Sequence, residues 1–409
     1  MTSADRRSFL KSAAGAAAVT LFQPELAASP RLRAPVNVGL IGCGRQGRAV
    51  LTELAKIEGV SITAVCDTDA RRLRGATRRA PDAATHDAHP ALLDEDVDAV
   101  VIATPTHEHR QVALDSLAAG KHVYCEAPLA HSLADAKAIA AAARRAEKQV
   151  FQAGFQGRSN PVYSLARSFV RAGAIRNVFQ MRAQFHQKTS WVTPSPDPAR
   201  EKLLNWRLDP AVSTGLIGEI GAQQFDVVHW FTGKYPNRVR ATGGVLTWED
   251  GRKVEDTVHA ELMFESGARF DWDACLGSSY GGQYEVLMGT MGTVKLAWSH
   301  GWMFKEADAA TQGWEVYANR QQFHNDEGIT LIAEATKLAA QGKLKEGVGL
   351  PHSPLFYALE DFLTSVTEGV PVACSAEEGL RATAIALRAN EALRSGDEVA
   401  IPEEDFKVE

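Results

Sequence analysis

The chain has 409 residues, 45% hydrophobic and 23% charged, with a formal net charge of −6. That length supplies two ordinary domains, and the apolar and charged fractions exclude a disordered or fibrous chain. The mildly acidic balance gives no reason to expect nucleic acid or an anionic membrane as partner. Five scattered Cys are too few for a disulfide framework, and no apolar run reaches the roughly 20 residues of a membrane span.

The N-terminus reads Asp5-Arg6-Arg7-Ser8-Phe9-Leu10-Lys11, followed by an apolar stretch from Ala13 to Phe22 and the small residues Ala27, Ala28 and Ser29. Paired arginines, a short weakly hydrophobic segment and small residues resemble a twin-arginine export signal over residues 1–28. The pattern predicts a periplasmic or otherwise exported protein, carried folded by the twin-arginine machinery.

Val36 to Ile41 is a short apolar run with the pattern of a buried parallel strand, and it leads into Gly42-Cys43-Gly44-Arg45-Gln46-Gly47. Helical periodicity follows from Arg48 to Ile57. A GxGxxG turn between a strand and a helix is the arrangement that binds a dinucleotide. Gly42 permits the tight turn, Gly44 lets the backbone approach a pyrophosphate, and Gly47 allows close packing of helix on strand. Arg45 and Gln46 open the helix whose free N–H groups face the phosphates. A second strand, Val60 to Cys66, ends at Asp67, placed to accept hydrogen bonds from the adenosine ribose and to repel a 2′-phosphate. This favours NAD, while Arg71 and Arg72 leave NADP open.

Further strands are expected at Val97 to Ala103, Lys121 to Cys125 and Val150 to Ala153, with helices at Glu108 to Ala119 and Leu133 to Glu147. The alternation predicts a doubly wound parallel sheet over residues 35–153, with ligand contacts at the strand ends. Thr104, Pro105, His107, His109, Glu126, Ala127 and Pro128 fall at those ends and are candidates for cofactor contact. His107 and His109 read as loop and helix-start residues rather than a metal pair, and no Cys/His cluster has zinc spacing, so no metal is expected. Cys43, Cys66 and Cys125 read as small buried residues.

The segment Gly120-Lys121-His122-Val123-Tyr124-Cys125-Glu126-Ala127-Pro128 resembles the Gfo/Idh/MocA oxidoreductase family. With it go the glycine turn, the Ala103-Thr104-Pro105 strand end, Gly215 to Trp230, and a C-terminal helix pair ending at Ser395-Gly396. The resemblance implies a Rossmann domain and a C-terminal α/β domain, residues 154–402, with a large open, mainly antiparallel sheet that commonly mediates oligomerisation. It implies a nicotinamide cofactor, a sugar-like or cyclitol substrate, and a dimer or tetramer. Two positions depart from the family. Ala127 stands where the working lysine normally lies, and Gln223 stands where relatives carry the acid/base histidine, with Glu219 at the preceding acid. Neither alanine nor glutamine can exchange a proton at neutral pH.

Expected to be helical, Ile217 to Thr232 places Glu219, Gln223, Asp226 and Trp230 on one face and Phe225, Val228 and Phe231 on another. Asp256 to Phe264 alternates as a half-buried strand, with Val178 to His186, Arg238 to Leu246 and Tyr284 to Leu296 as partners. Leu355, Leu359, Phe362, Leu363 and Val366 form a helical core stripe. Candidates for proton transfer or hydroxyl orientation are Glu219, Gln223, His186, Lys188 and Tyr163. Candidates for substrate contact are Arg158, Trp206, Gln224 and Asp226. The leading expectation is an exported NAD(P)-dependent oxidoreductase acting by hydride transfer. An NAD-using glycosidase or lyase with transient oxidation and a tightly held cofactor, and a non-catalytic binding protein, remain as alternatives.

Overall fold

The computed structural model describes residues 32–408 apart from 312–319, 324–325, 336–337, 339–340, 342 and 344–346. The expected signal segment, residues 1–28, lies outside the described residues. Both sheets described below belong to one compact unit, residues 31–409.

Six parallel strands build the first sheet: β1 (Val36–Ile41), β2 (Val60–Cys66), β3 (Ala84–His86), β4 (Ala99–Ile102), β5 (His122–Glu126) and β6 (Phe151–Gly154), in the order β3-β2-β1-β4-β5-β6. The helices between them are α1 (Arg45–Leu54), α2 (Ala70–Thr77), α3 (His89–Leu93), α4 (His109–Ala118) and α5 (Leu133–Arg145). Val38, Leu40, Val100, Val101, Ile102 and Val123 are fully buried, which is why β1, β4 and β5 read as apolar runs rather than alternating ones. Strand order reverses between β1 and β4, and the crevice outside their C-terminal ends is where such a sheet binds ligands.

The second sheet has ten strands in the order β14-β15-β13-β12-β11-β7-β10-β9-β8-β16. They are β7 (Val178–His186), β8 (Arg238–Gly244), β9 (Thr257–Met263), β10 (Arg269–Cys275), β11 (Gln283–Gly289), β12 (Gly292–Ala297), β13 (His300–Lys305), β14 (Arg320–Phe323), β15 (Asp326–Thr330) and β16 (Val399–Ala400). The β7–β10 pair is parallel and the other pairs are antiparallel, so the sheet is mixed and mostly antiparallel. Its inner face carries Val258, Ala260 and Leu262 of β9 and Phe270, Trp272 and Ala274 of β10, all buried. The helices here are α6 (Pro161–Arg171), α7 (Pro198–Leu204), α8 (Ala222–Thr232), α9 (Pro354–Glu368) and α10 (Ala376–Ser395). Ser353 and Ser375 cap the last two by accepting from the Phe356 and Glu378 N–H, and left-handed Gly369 and Gly396 end them.

Two expected elements divide. Tyr284 to Leu296 is a hairpin, not one strand: Gly289 pairs with Gly292 across a two-residue turn. A Cβ on Gly289 would lie 2.1 Å from the Ile175 carbonyl oxygen, so the reversal occurs where only glycine fits. The helix expected from Ile217 to Thr232 opens as a wider turn, Ile217–Gly221, before α8. The wider turn shifts Glu219 out of α-helical register with Gln223 and Asp226, and the three side chains find different partners.

On α9, the Glu360 side chain is buried and its Oε1 has no partner among the described residues. Burial, then the neighbouring Asp361, pushes its carboxyl from an ordinary 4.5 up to about 7. Between about 4.5 and 7 the folded chain holds a proton that the unfolded chain has lost, so stability falls across that window and the loss is complete above about 7. Glu360→Gln should leave the thermal midpoint nearly unchanged at pH 4 and raise it by about 2 °C or more at pH 8. Equal shifts at both pH values would contradict this assignment.

Candidate functional site at the strand ends

The glycine turn leaves β1 with Gly42 at φ +98°. A Cβ there would lie 2.6 Å from the Ala103 carbonyl and 2.7 Å from the Thr104 N, so the turn passes directly under the end of β4. A Cβ on Gly47 would lie 1.9 Å from the Gly42 carbonyl oxygen. Gly44 has open space: the nearest group to a Cβ there is the Arg72 guanidinium, at 3.7 Å. No side chain caps α1 and no acid lies in its first turn, so its leading N–H groups are free for an anion. The Asp67 carboxylate is fixed at the end of β2 by the N–H groups of Cys43 and Asp69, each at 2.7 Å. Buried Thr104 Oγ1 and His107 Nδ1 have no partner among the described residues. An open glycine turn, an uncapped helix start, an acid at the ribose position and two orphaned polar atoms fit a dinucleotide.

Glu126 ends β5 and is buried, accepting a hydrogen bond at 2.8 Å from Gln46 of α1. Burial pushes its carboxyl up to about 7, against the lowering effect of Gln46. The backbone of Gly154 at the end of β6 is its neighbour, since a Cβ on Gly154 would lie 2.9 Å from the Glu126 Cα. The Gly154 carbonyl accepts from Gln223 Nε2 at 2.8 Å, while Gln223 Oε1 is buried without a partner among the described residues. Glu219 accepts from Thr106 Oγ1 at 3.1 Å and Thr214 Oγ1 at 2.6 Å, and its Oε2 lies 3.6 Å from Arg207 Nε. Arg207 stacks over Trp206 at 4.5 Å, and the Trp206 ring meets His107 at 5.9 Å. Thr106 falls at the expected β4 end and Arg207 beside the expected Trp206, but their meeting with Glu219 comes only from the tertiary fold. Thr214, which no motif signalled, reaches Glu219 across five residues of its own turn.

Ala127 and Pro128 follow Glu126 as expected, and Ala127 offers no polar group. His109 is fully buried, with its ring nitrogens 3.0 Å from the Thr104 and Pro128 carbonyls, and burial pushes it down to about 4. It is a neutral brace between two loops that border the site, not a cofactor contact. The thiols of Cys43 and Cys66 are raised to about 12, first by burial and then by Asp67. Among the described residues no group of three His, Cys, Asp or Glu gathers at metal-binding distance.

Several expected site residues lie elsewhere. Tyr163 is fully buried, its hydroxyl bonded to Glu285. Gln224 is also fully buried, tied to Glu285 and to Trp272 Nε1. Both belong to the core of the large sheet, so proton transfer by Tyr163 and substrate contact by Gln224 are corrected. His186 pairs with Asp273 of β10 on the sheet face opposite Ala183 and Trp272, away from the site. Lys188 is exposed, with its backbone N–H on Ser279, and no contact brings it to the Glu219 group. Arg158 and Asp226, expected to meet substrate, meet each other: Nε and Nη2 of Arg158 donate to the two Asp226 oxygens at 2.8 Å, and Nη1 pairs with Glu378. Their side chains are 2% and 1% exposed. Arg158→Ala would strand the Asp226 carboxylate in the core. It should lower the unfolding free energy by about 3–5 kcal/mol in denaturant titration. A raised KM at unchanged stability would restore the substrate-contact role.

Residues 36–155 match an oxidoreductase family with an NAD-binding Rossmann fold, and residues 163–295 match the GFO/IDH/MocA C-terminal domain. The inositol 2-dehydrogenase of Arthrobacter sp. is 30% identical over 253 residues, 61% of this chain and 69% of that protein. The myo-inositol 2-dehydrogenase of Thermotoga maritima is 27% identical over 371 residues, 90% of this chain and 99% of the relative. Among solved structures, levoglucosan dehydrogenase in complex with NADH and levoglucosan has the same fold, with a TM-score of 0.71 at 22% identity, covering 90% of this chain and 100% of that one. Sequence match, strand order and glycine-turn geometry agree: the chain belongs to the Gfo/Idh/MocA family and is an NAD-binding oxidoreductase.

Proposed function

We propose that the protein is an exported dehydrogenase that removes hydride from a secondary carbinol of a cyclitol or sugar-like substrate. The observation that carries this reading is the gathering of the open glycine turn, Glu126, Gln223 and Glu219 at one edge of the first sheet. Relatives named for inositol and levoglucosan support the substrate class. The paired arginines of residues 1–28 support export.

A nicotinamide bound against the glycine turn would supply the hydride acceptor for the carbinol carbon. The hydroxyl proton leaves to the Glu126 carboxylate, whose pKa of about 7 lets it take and release a proton near neutrality. Gln223, pinned through its amide nitrogen to Gly154, aims a free carbonyl oxygen that can hold a substrate hydroxyl. Glu219, steadied by Thr106 and Thr214, accepts from a second hydroxyl and keeps Arg207 at the site. Trp206 forms the apolar side of the site, with the His107 ring against it. On the outer face of the large sheet, the partly exposed Val286 and Met288 support assembly into a homodimer or homotetramer.

Initial rates with NAD over a panel of cyclitols and pyranoses test the reading. NADH should form with at least one of them, and kcat should rise with pH through about 7 as Glu126 ionises. Glu126→Gln should lose about 100-fold in kcat together with that inflection. A Glu126→Gln enzyme with wild-type rate and pH profile would contradict the role of Glu126. Ala127 and Gln223 favour a second reading, a dinucleotide-binding protein without dehydrogenase turnover. Wild type inert across the panel, with Ala127→Lys plus Gln223→His gaining activity, would favour that second reading.

A further inference from the structure

We propose that residues 198–209 form a strap closing the dinucleotide cleft, latched by the Arg200–Asp69 ion pair, so that bound NAD(H) leaves only when the latch opens. The inference rests on the NAD-binding reading of the glycine turn.

The segment runs along the whole edge of the cleft. At one end, Nε and Nη2 of Arg200 lie 2.8 and 2.7 Å from Asp69 Oδ2. Asp69 is two residues beyond Asp67, and its own N–H donates to Asp67 Oδ1, so the latch sits beside the ribose-facing acid. In the middle, Arg207 lies within the fields of Arg45 and Arg72 at the glycine turn and of Glu126 and Glu219 at the opposite strand ends. At the far end, Trp206 packs on His107, and the charge of Asp209 bears on the same histidine. The segment thus tracks the cleft from the end of β2, past the glycine turn, to the end of β4. A dinucleotide lying along that edge would be beneath it.

The strap is attached by a few polar contacts and by only two buried apolar side chains, Leu204 and Trp206. Within the seven-residue α7 only Leu204 is buried, and Leu203 is 68% exposed. Asn205 ties back to Thr193 through two hydrogen bonds, and Arg200 Nη1 reaches Ser195, so the loop is internally ordered. Arg394 holds the carbonyls of Pro210 and Ser213 at its base. A segment ordered in itself, hinged at one end and joined to the first domain chiefly by one ion pair and one aromatic contact, can open without unfolding either sheet. Asp69 serves twice: Oδ1 caps α2 through the Arg71 N–H, while Oδ2 takes Arg200. Asp69→Asn therefore keeps a capping side chain while removing the charge.

The test is stopped-flow displacement of NADH from the full chain by excess NAD. Arg200→Ala and Asp69→Asn should each speed release by about tenfold or more, with Arg200→Lys in between, because truncating one member of a shielded charge pair acts on the off-rate. Melting without nucleotide separates a latch from a structural contact. The variants should match wild type there and lose only part of the stabilisation that NADH adds. Release rates within about twofold of wild type, in variants that bind NADH, would overturn the strap and leave the NAD-binding reading intact. Absence of any NADH binding by wild type would overturn both.

Discussion

Gly47 packs against the carbonyl of Gly42 so closely that a Cβ would lie 1.9 Å from its oxygen. This contact sets the angle at which α1 leaves β1, and much of the first domain follows from it. With α1 held there, its free N–H groups face the crevice, Gly42 passes beneath the Ala103 carbonyl, and Gln46 reaches Glu126 at the end of β5. Three strand ends are thereby brought within the reach of one ligand. The same edge needs Asp67 immobile, and the Cys43 and Asp69 N–H groups hold it so. A glycine turn alone is common; one whose three glycines have these separate spatial reasons is a binding site.

The second domain contributes through a helix that is buried on nearly every side. Gln224, Phe225, Asp226, Val227, Val228 and Phe231 of α8 are all inaccessible. A buried helix carrying Gln and Asp must satisfy them internally. Arg158 neutralises Asp226, while Glu285 and Trp272 complete Gln224. The Gln224 pairs fix α8 against the large sheet, and Arg158 ties it to the turn after β6 and to Glu378 of α10. The wide turn at its start then presents Glu219 and Gln223 toward the strand ends, where Thr106 and Gly154 receive them. Ion pairs that resemble substrate contacts in sequence thus hold the helix that carries the site.

Local pattern revealed what local physics controls. β1, the glycine turn, Asp67 and the alternation of Val258, Ala260 and Leu262 were legible because strand burial and turn geometry are written in adjacent residues. The division of Tyr284 to Leu296 had a signal in Gly289 and Gly292, two glycines separated by a two-residue turn. The register shift at Ile217–Gly221 had none beyond its glycines, since helical spacing assumes an unbroken helix. Arg158 reads as a ligand-binding cation until Asp226, 68 positions away, occupies it. Arg200 carries no motif at all; its importance comes from crossing to Asp69, 131 positions earlier. Charged groups were therefore the least legible, because their role depends on which opposite charge the fold brings near.

In this arrangement the strand ends hold one dinucleotide per chain beneath residues 198–209. Native mass spectrometry of the full chain, purified without added nucleotide, tests it directly. The expected species is heavier than the polypeptide by one NAD or NADH and persists through buffer exchange. A chain that has only its polypeptide mass, and keeps that mass after incubation with NAD and NADH, would contradict it.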